Sequence, residues 1–196
     1  MSLYGLIIGI AIVIGLDYFQ KHSHLKYFPY LLVLISLIGA RAYHVADNWA
    51  FYSQNPILIP QTWNGGLGIF GAIIFGLVFS LLYSFINHIS YVILLDSITP
   101  ILPLCQSIGR LGNWVNHENP IWWPEAILDL ILFFIIKKFP QNPTAKYFIG
   151  YGLIRFVTEF WRHDTWVVST IKIGQLIGLI FIIIGFLILH RHQSKM

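Results

Sequence analysis

The stretch GLGIFGAIIFGLVFSLLYSFI, residues 66–86, decides the fold class of this protein because it contains no charged residue. A run of about 20 apolar residues is what an α-helix needs to cross the hydrocarbon core of a membrane. Six further apolar stretches lie on either side of it, at 3–19, 27–46, 91–108, 122–136, 147–160 and 173–189. The sequence therefore predicts an all-α integral membrane protein, a bundle of seven transmembrane helices.

The composition of the whole chain agrees with this prediction. Of the 196 residues 57% are hydrophobic and only 10% are charged, whereas soluble globular chains carry roughly 25% charged residues. Seven spans leave only short loops, so residues 1–196 are predicted to form one membrane-embedded domain. The formal net charge is +4, but the basic residues are scattered among apolar runs, which argues against a nucleic-acid-binding face. The single cysteine, Cys105, excludes an intramolecular disulfide.

The loops between the predicted spans are of two chemical kinds, and this difference predicts the orientation. Basic residues dominate the loops after the first and fifth spans and the C-terminal tail, at Lys21, Lys26, Lys137, Lys138, Lys146, Arg191 and Lys195. Tryptophans lie in or beside the other loops, at Trp49, Trp63, Trp114, Trp122, Trp123, Trp161 and Trp166. Cytoplasmic loops carry an excess of Lys and Arg. The N-terminus is therefore predicted to be external and the C-terminus cytoplasmic.

Ionisable residues inside the spans are the candidate functional residues, because each costs at least about 2.5–3.5 kcal/mol in a bilayer. Five of them fall in the halves of their spans that are predicted to face outward: Arg41, Glu125, Asp129, Arg155 and Glu159. This distribution predicts a cavity open to the outer leaflet. A small transporter is the weaker alternative, because a transport path needs polar lining across the whole membrane.

These ionisable residues also have a purely structural interpretation. Arg155 and Glu159 are four residues apart and share a helix face, which would equally fit a buried structural ion pair. Glu125 and Asp129 have the same spacing but repel each other, so each is expected to have a separate partner. The candidate partners are Arg41 and Arg110.

Two histidines, His44 and His117, are candidates for a general base. His44 follows Arg41 by three residues on the same helix face, and His117 lies in a predicted external loop. An ordinary hydrogen-bonded histidine is an equally good interpretation of both. No histidine and carboxylate cluster has the spacing of a metal site, and no phosphate-binding P-loop occurs, so no metal is predicted.

The densest polar segment of the chain is QSIGRLGNWVNHE, residues 106–118. Arg110 lies there beside small glycines and side-chain amides. A guanidinium group can hold a phosphate through two charge-assisted hydrogen bonds. The segment therefore predicts contact with an anionic head group, for which a phospholipid is the available outer-leaflet ligand.

This segment resembles the signature Gly-Arg-x-Gly-Asn-aromatic-x-Asn-x-Glu of the prolipoprotein diacylglyceryl transferases. The matching residues are Gly109, Arg110, Gly112, Asn113, Trp114, Asn116 and Glu118. Further similar segments follow one another along the whole chain: Tyr4-Gly5, Gly39-Ala40-Arg41 with Tyr43, Trp63 to Leu67, Asp96 with Pro100 and Gln106, Tyr151-Gly152 with Arg155, Phe156, Glu159 and Arg162, and Gly174-Gln175. The sequence is identified as a short, divergent member of this family.

The resemblance implies a multi-pass enzyme of the bacterial cytoplasmic (inner) membrane. Its members transfer the diacylglyceryl group of phosphatidylglycerol to the lipobox cysteine thiol of preprolipoproteins and release glycerol phosphate. The implied partners are phosphatidylglycerol, preprolipoprotein signal peptides and membrane lipids, with no nucleic acid and no cofactor.

The resemblance also implies two groups of site residues. The catalytic group is Tyr4, Arg110, Asn113, Glu118, Arg155 and Glu159. The substrate-binding group is Arg41, Gly109, Arg110, Gly112, Asn116, Glu125, Arg162 and Gln175. Arg110 and Arg155 are expected to stabilise the charge that grows on the departing phosphate. The proton acceptor stays open among His44, His117, Glu118 and no protein base.

Two departures from the family pattern are visible. Phe70 stands where members commonly carry histidine or tyrosine, and the segment NPIWWPE, residues 119–125, keeps only Pro120 and Glu125 of a longer external element. A reduced external head is therefore predicted. The departures also motivate the alternative of a catalytically inactive phospholipid-binding or regulatory membrane protein.

Overall fold

The computed structural model describes residues 3–117, 119–162, 165, 167–168 and 171–193. Glu118, Trp166 and Lys195, which the predictions used, lie outside the described residues. The α-helices are α1 (Leu3–His22), α2 (Phe28–Asp47), α3 (Trp49–Tyr52), α4 (Ile69–Ile86), α5 (Tyr91–Ile98), α6 (Leu102–Val115), α7 (Trp122–Lys138), α8 (Pro143–Thr158) and α9 (Ile173–Gln193). Short 3-10 turns lie at Pro56–Leu58, Thr62–Asn64 and Glu159–Trp161. Two two-residue strands, β1 (Val167–Val168) and β2 (Ile171–Lys172), pair antiparallel. The all-α prediction is confirmed.

Several of these helices have the length and composition of membrane spans. In the described part of the chain, α1, α2, α4 and α9 are each long and apolar enough to cross a membrane, and α5 with α6 forms a fifth candidate. Each of the seven predicted spans contains a helix, but α7 and α8 have only 17 and 16 residues. The structure therefore supports a multi-pass membrane protein with four to five candidate spans, and the number seven stays a prediction.

The predicted uninterrupted span at 91–108 is wrong in one respect. The chain breaks between α5 and α6, and the two helix axes are bent by 51°. Proline has no N–H group, and it disfavours a helical conformation in the residue before it, so Pro100 and Pro103 explain the break. At the end of α5 the Leu95 carbonyl accepts both the Thr99 backbone N–H, at 2.9 Å, and the Thr99 hydroxyl, at 3.0 Å.

Two further boundaries differ from the predictions for local reasons. Helix α4 begins at Ile69 because Gly65 and Gly66 have φ of +87° and +73°, a left-handed conformation that ends any helical path. Helix α8 begins earlier than predicted, at Pro143, because proline suits the first turn of a helix. The Asp96 carboxylate accepts a hydrogen bond from the Thr144 backbone N–H at 3.1 Å and so stabilises this helix start.

The chain divides into two compact units, and unit 1 comprises residues 1–22 and 95–196. In unit 1, α1 packs on α6, α6 on α7, and α8 on both α7 and α9. Gly152 of α8 and Gly178 of α9 allow their backbones to approach closely, since a Cβ on Gly152 would lie 2.7 Å from the Gly178 carbonyl oxygen. Small residues at such contacts are typical of membrane helix pairs. Leu132, Ile136 and Tyr147 belong to the buried core of this unit.

Unit 2 comprises residues 23–94. Helices α2 and α4 pack against each other at Gly39 and Gly71, where the two backbones lie close together: a Cβ on Gly39 would lie 2.6 Å from the Gly71 carbonyl oxygen. Near the other end of this pair, the buried Phe28 ring lies 4.6 Å from the Tyr83 ring. The pair supports the loop of short turns that joins α2 to α4.

Candidate active site

A cluster of buried and half-buried charges lies at one end of unit 1. The residues come from the last turns of α6 and α8, from the turn that follows α8 and from the first two turns of α7. They are Arg110, Glu125, Asp129, Arg155, Glu159 and Arg162. The sequence placed all six in or beside apolar segments, and the fold of unit 1 brings them together.

Glu125 is the centre of this cluster. Its side chain is completely buried, and it forms ion pairs with Arg110 Nη1 at 3.1 Å, with Arg155 Nη1 at 3.6 Å and with Arg162 Nη1 at 3.9 Å. Buried charges are tolerated when they are paired and hydrogen-bonded. One carboxylate on α7 thus fixes three guanidinium groups that come from α6, from α8 and from the turn after α8.

Two neutral side chains complete the environment of Glu125. The Asn119 side-chain amide donates to Oε2 at 2.7 Å, and the Thr158 hydroxyl donates to Oε1 at 3.1 Å. Asn119 has a left-handed φ of +55°, and its own side-chain oxygen accepts the Ile121 backbone N–H at 3.2 Å. The short segment before α7 is therefore folded so that one amide reaches the carboxylate. Glu125 also lies in the first turn of α7, where the helix dipole favours a negative charge.

Arg155 and Glu159 form the ion pair that their spacing suggested. Arg155 Nη2 lies 3.2 Å from Glu159 Oε2. A Cβ added to Gly174 would overlap the Glu159 carboxylate, so this carboxylate lies directly on the glycine at the start of α9. The pair belongs to the same network, because Arg155 also contacts Glu125.

Lys172 holds the turn that follows α8. Its ammonium group donates to the backbone carbonyls of Glu159 at 2.7 Å and of Arg162 at 2.5 Å. Cations stabilise the carbonyl end of a helix. Lys172 therefore fixes the backbone on which Glu159 and Arg162 are carried.

Asp129 is held much less tightly than Glu125. Its Oδ2 lies 3.7 Å from Arg110 Nε, and neither carboxylate oxygen accepts a hydrogen bond from the described residues. The expectation that Glu125 and Asp129 have separate partners is wrong, because both contact Arg110. The reason is that residues four apart on a helix share a face, and Arg110 of α6 lies against that face.

The exposure of the charged groups differs in a systematic way. The side chains of Arg110, Arg155 and Arg162 are 15%, 18% and 15% exposed, whereas those of Glu125 and Asp129 are fully buried. An anion that approaches this end of unit 1 therefore meets guanidinium groups before it meets carboxylates. Guanidinium groups suit phosphate because their planar fork matches two phosphate oxygens.

The signature glycines have different surroundings. A Cβ on Gly112 would lie 2.9 Å from the Tyr4 ring, so this glycine makes room for the tyrosine of α1. A Cβ on Gly109 would meet only Ile8, at 3.9 Å, which leaves the backbone beside Arg110 accessible. Tyr4 and Arg110 therefore belong to the same end of the α1 and α6 pair.

The remaining predicted residues of unit 1 lie around the charged cluster. Asn113 is half-buried on α6, Asn116 is exposed at the end of that helix, and Gln175 is half-buried at the start of α9. His117 is exposed and has a left-handed φ of +55°. Glu118 lies outside the described residues.

Arg41 belongs to unit 2 and has a different kind of environment. Its guanidinium group donates to four backbone carbonyls of the loop before α4: those of Leu58 at 2.6 Å, Ile59 at 2.7 Å, Gly65 at 2.8 Å and Gly66 at 2.9 Å. The buried side chain also lies over the Tyr52 ring at 5.1 Å. In this unit the half-buried His44 ring lies against Gly66, and the exposed Phe70 ring lies 6.0 Å from the Tyr43 ring.

Sequence comparison identifies the family. The chain matches the sequence profile of the prolipoprotein diacylglyceryl transferases over residues 1–124 and 122–191. A phosphatidylglycerol–prolipoprotein diacylglyceryl transferase from Staphylococcus haemolyticus is 30% identical, over 98% of this chain and 84% of the relative. Proteins with the same name from Streptococcus uberis and Finegoldia magna are 31% and 26% identical, over 82% and 98% of this chain and 76% and 91% of the relatives. The chain belongs to the prolipoprotein diacylglyceryl transferase family.

The alignment also bears on the size of this family member. It extends over 239 positions for the Staphylococcus haemolyticus relative, more than the 196 residues of this chain. The relative therefore has internal positions that this transferase family member lacks. The profile match is divided at residues 122–124, within the shortened segment 119–125.

Three residues near the charged cluster of this family member were not recognised as site residues from sequence: Asn119, Thr158 and Lys172. Asn119 precedes a proline, which indicates a turn, but nothing in the sequence indicated that its amide reaches Glu125. Thr158 is one residue before Glu159 and has no distinguishing pattern. Only Lys172 had a distinguishing feature in the sequence, because it is a lysine on the side of the protein that is predicted to be rich in tryptophan.

Proposed function

We propose that this protein transfers the diacylglyceryl group of phosphatidylglycerol to the cysteine thiol of a prolipoprotein and releases glycerol phosphate. Membership of the transferase family supports the reaction. The observation that carries the proposal for this chain is the group of three partly exposed arginines, Arg110, Arg155 and Arg162, held by the buried Glu125.

The phosphate of the lipid is bound by the arginine cluster in this proposal. Arg110 uses Nη1 for Glu125, while its Nε makes no hydrogen bond within the described residues. The buried Nε faces Asp129, but the Arg110 side chain as a whole is 15% exposed, so the outer part of the guanidinium group can meet a phosphate oxygen. Gly109 leaves the neighbouring backbone accessible, and Tyr4 packs beside the same stretch of α6.

The transfer itself is a displacement at the glycerol carbon that carries the phosphate. The substrate thiol loses its proton, the sulfur forms a bond to that carbon, and the carbon–oxygen bond to the phosphate breaks. The electron pair of the broken bond stays on the phosphate oxygen, and glycerol phosphate leaves. Preorganised cations stabilise this growing charge more effectively in a water-poor site than in water. Arg110 and Arg155 perform this task, and Glu159 positions Arg155.

The proton acceptor follows from the charge of the site. Cations near a thiol favour the thiolate, which is the nucleophilic form. Solvent or the released phosphate can then take the proton, and no histidine is required. His44, His117 and Glu118 are the alternative acceptors.

The membrane arrangement belongs to the same proposal. Residues 1–196 form one transferase domain with a reduced external head, with seven spans, an external N-terminus and a cytoplasmic C-terminus in the bacterial inner membrane. The lipobox of a preprolipoprotein signal peptide then reaches the arginine cluster from the external leaflet. Impermeant thiol labelling in intact cells tests this orientation with cysteines at Trp63 and Lys138 in a Cys105→Ser background. We expect labelling at Trp63 only, and labelling at Lys138 alone would contradict the orientation.

The activity is tested with purified components. The chain is incubated with phosphatidylglycerol and a lipobox peptide, and the peptide mass is measured. We expect a mass increase equal to one diacylglyceryl group, and no increase for a peptide with serine in place of the lipobox cysteine. Binding of phosphatidylglycerol without modification of the peptide would instead support the inactive lipid-binding alternative.

A further inference from the structure

The two carboxylates of α7 have opposite environments although they lie one turn apart. Glu125 accepts two hydrogen bonds and approaches three arginines. Asp129 is equally buried, but it accepts no hydrogen bond from the described residues, and its ion-pair contact is the 3.7 Å distance to Arg110. Glu159 also accepts no hydrogen bond there, but its ion pair with Arg155 is shorter, at 3.2 Å. Asp129 is therefore the buried carboxylate with the weakest compensation.

Arg110 is the cation that Asp129 shares with Glu125. Nη1 of Arg110 lies 3.1 Å from Glu125, whereas the buried Nε faces Asp129 at 3.7 Å and makes no hydrogen bond to any described residue. A phosphate that binds the exposed part of this guanidinium group therefore competes first with Asp129, the weaker of the two carboxylate contacts. It would also bring a further negative charge next to a buried carboxylate.

The formal charges of Asp129 and of the groups that face it sum to zero only while no phosphate is bound. These groups are Arg110 from α6, Arg155 from α8 and Glu125 from its own helix, together with the neutral phenols Tyr147 and Tyr151 of α8. Two arginines and two carboxylates sum to zero. A bound phosphodiester adds one negative charge, and an uncompensated charge in a buried site is strongly unfavourable. Uptake of one proton by Asp129 restores the balance.

We propose that binding of the phosphate group at Arg110 is coupled to the uptake of one proton by Asp129. Asp129 is a positioning residue in this proposal. In the empty site its carboxylate balances the charge of Arg110, and in the occupied site the phosphate does so instead. The inference rests on the proposed function, because it takes the lipid phosphate as the ligand of Arg110.

The coupling has a direct consequence for the pH dependence of binding. A phosphodiester carries one negative charge throughout the neutral range, so the protein must supply any pH dependence. Uptake of one proton on binding makes the dissociation constant rise by up to about tenfold per pH unit on the alkaline side. Asp129→Asn imitates the protonated carboxyl group and removes this dependence.

The test measures binding of short-chain phosphatidylglycerol to the full chain in phosphatidylcholine nanodiscs across a pH series. We expect the wild-type affinity to fall as pH rises, the Asp129→Asn affinity to change less than about twofold over the series, and Asp129→Glu to keep the wild-type slope. At the alkaline end, Asp129→Asn should bind at least about tenfold more tightly than the wild type. Its KM for the lipid should fall there, while its kcat falls because the more highly charged glycerol phosphate is retained.

Glu125→Gln is the matched control, since it also neutralises a buried acid of α7. It disrupts the contacts to three arginines, so we expect weak binding at every pH. The proposal is overturned if Asp129→Asn keeps the wild-type slope, or if it binds weakly at every pH while circular dichroism shows an intact fold. These outcomes differ from failure of the proposed function, in which the wild-type chain leaves the lipobox peptide unmodified at every pH.

Discussion

Arg41 in unit 2 and Arg110 in unit 1 are both arginines within apolar helices, but their acceptors differ in kind. Arg41 donates to four backbone carbonyls and has little exposed surface. Arg110 faces two carboxylates, makes one short ion pair, is 15% exposed, and has a buried Nε that makes no hydrogen bond within the described part of the chain. Carbonyl dipoles satisfy the hydrogen-bonding capacity of an arginine and fix a loop. Carboxylates buried behind the guanidinium group hold its charge in place and leave its exposed part facing outward, where a second anion can approach.

An arginine within a membrane span is therefore not by itself evidence of an anion site. What distinguishes the two environments is how many N–H donors are already used and whether counter-charges are buried behind the guanidinium group. Arg155 and Arg162 resemble Arg110 in the second respect, because both are partly exposed and approach the buried Glu125. Arg41 was predicted to bind substrate, and its geometry favours a role in holding the loop before α4.

The largest effect is expected from the arginines of unit 1. Arg110→Lys keeps the charge but loses the planar fork, so we expect the transfer rate to fall at least about a hundredfold, or roughly 2.7 kcal/mol. Arg155→Ala should cause a loss of similar size. Lipid transfer to the lipobox peptide measures both effects, and circular dichroism with gel filtration checks the fold. Near-wild-type rates in folded Arg110→Lys would remove the distinction between the two arginine environments.

A smaller effect is expected from the support behind Arg155. In Gly174→Ala the new methyl group displaces the Glu159 carboxylate, so Arg155 loses its 3.2 Å ion pair. We expect a loss of about thirtyfold in the transfer rate, roughly 2 kcal/mol. Gly9→Ala is the control, because a Cβ at Gly9 meets nothing within 4 Å. Equal rates in the two alanine variants would show that the position of Glu159 does not influence Arg155.

Arg41→Lys should act on the loop more than on the reaction. Lysine lacks the planar guanidinium fork, so its ammonium group cannot reach all four carbonyls. Each hydrogen bond from a charged donor contributes about 1.5–3 kcal/mol. We expect faster hydrogen exchange at residues 58–66 and a transfer rate lowered by no more than about tenfold. A loss as large as that of Arg110→Lys, without faster exchange, would indicate that Arg41 binds substrate directly.

Much of this arrangement could be predicted from local sequence. Long uncharged stretches predict membrane helices, and the signature from Gly109 to Glu118 indicates the family and the position of Arg110. The break between α5 and α6 was also encoded locally, by Pro100 and Pro103. It was missed because high hydropathy through both segments outweighed the prolines.

The partners of the charged residues could not be predicted in the same way. The i,i+4 spacing of Glu125 and Asp129 predicts a shared face but not which arginine lies against it. That choice depends on how α6 packs on α7, which Ser107 helps to fix by donating to the Ala126 carbonyl at 2.8 Å. Asn119 and Lys172 act through tertiary contacts of the same kind. Their roles depend on distances that no single segment encodes.

The smallest effect is expected from the histidines, one in each of the two compared units. The ring of His44 lies against Gly66 and edge-on to Tyr52, at 5.9 Å between ring centroids, which is a packing environment. His117 is exposed at the end of α6.

If the arginine cluster favours the substrate thiolate, solvent accepts the proton, and neither imidazole is needed. His44→Gln and His117→Gln should each retain transfer within about tenfold, a change of at most roughly 1.4 kcal/mol. A rate measured across a pH series separates this from base catalysis. A folded single variant that loses more than about a hundredfold, and partly recovers as hydroxide takes over the deprotonation at higher pH, would identify that histidine as the base and limit the arginines to binding the phosphate.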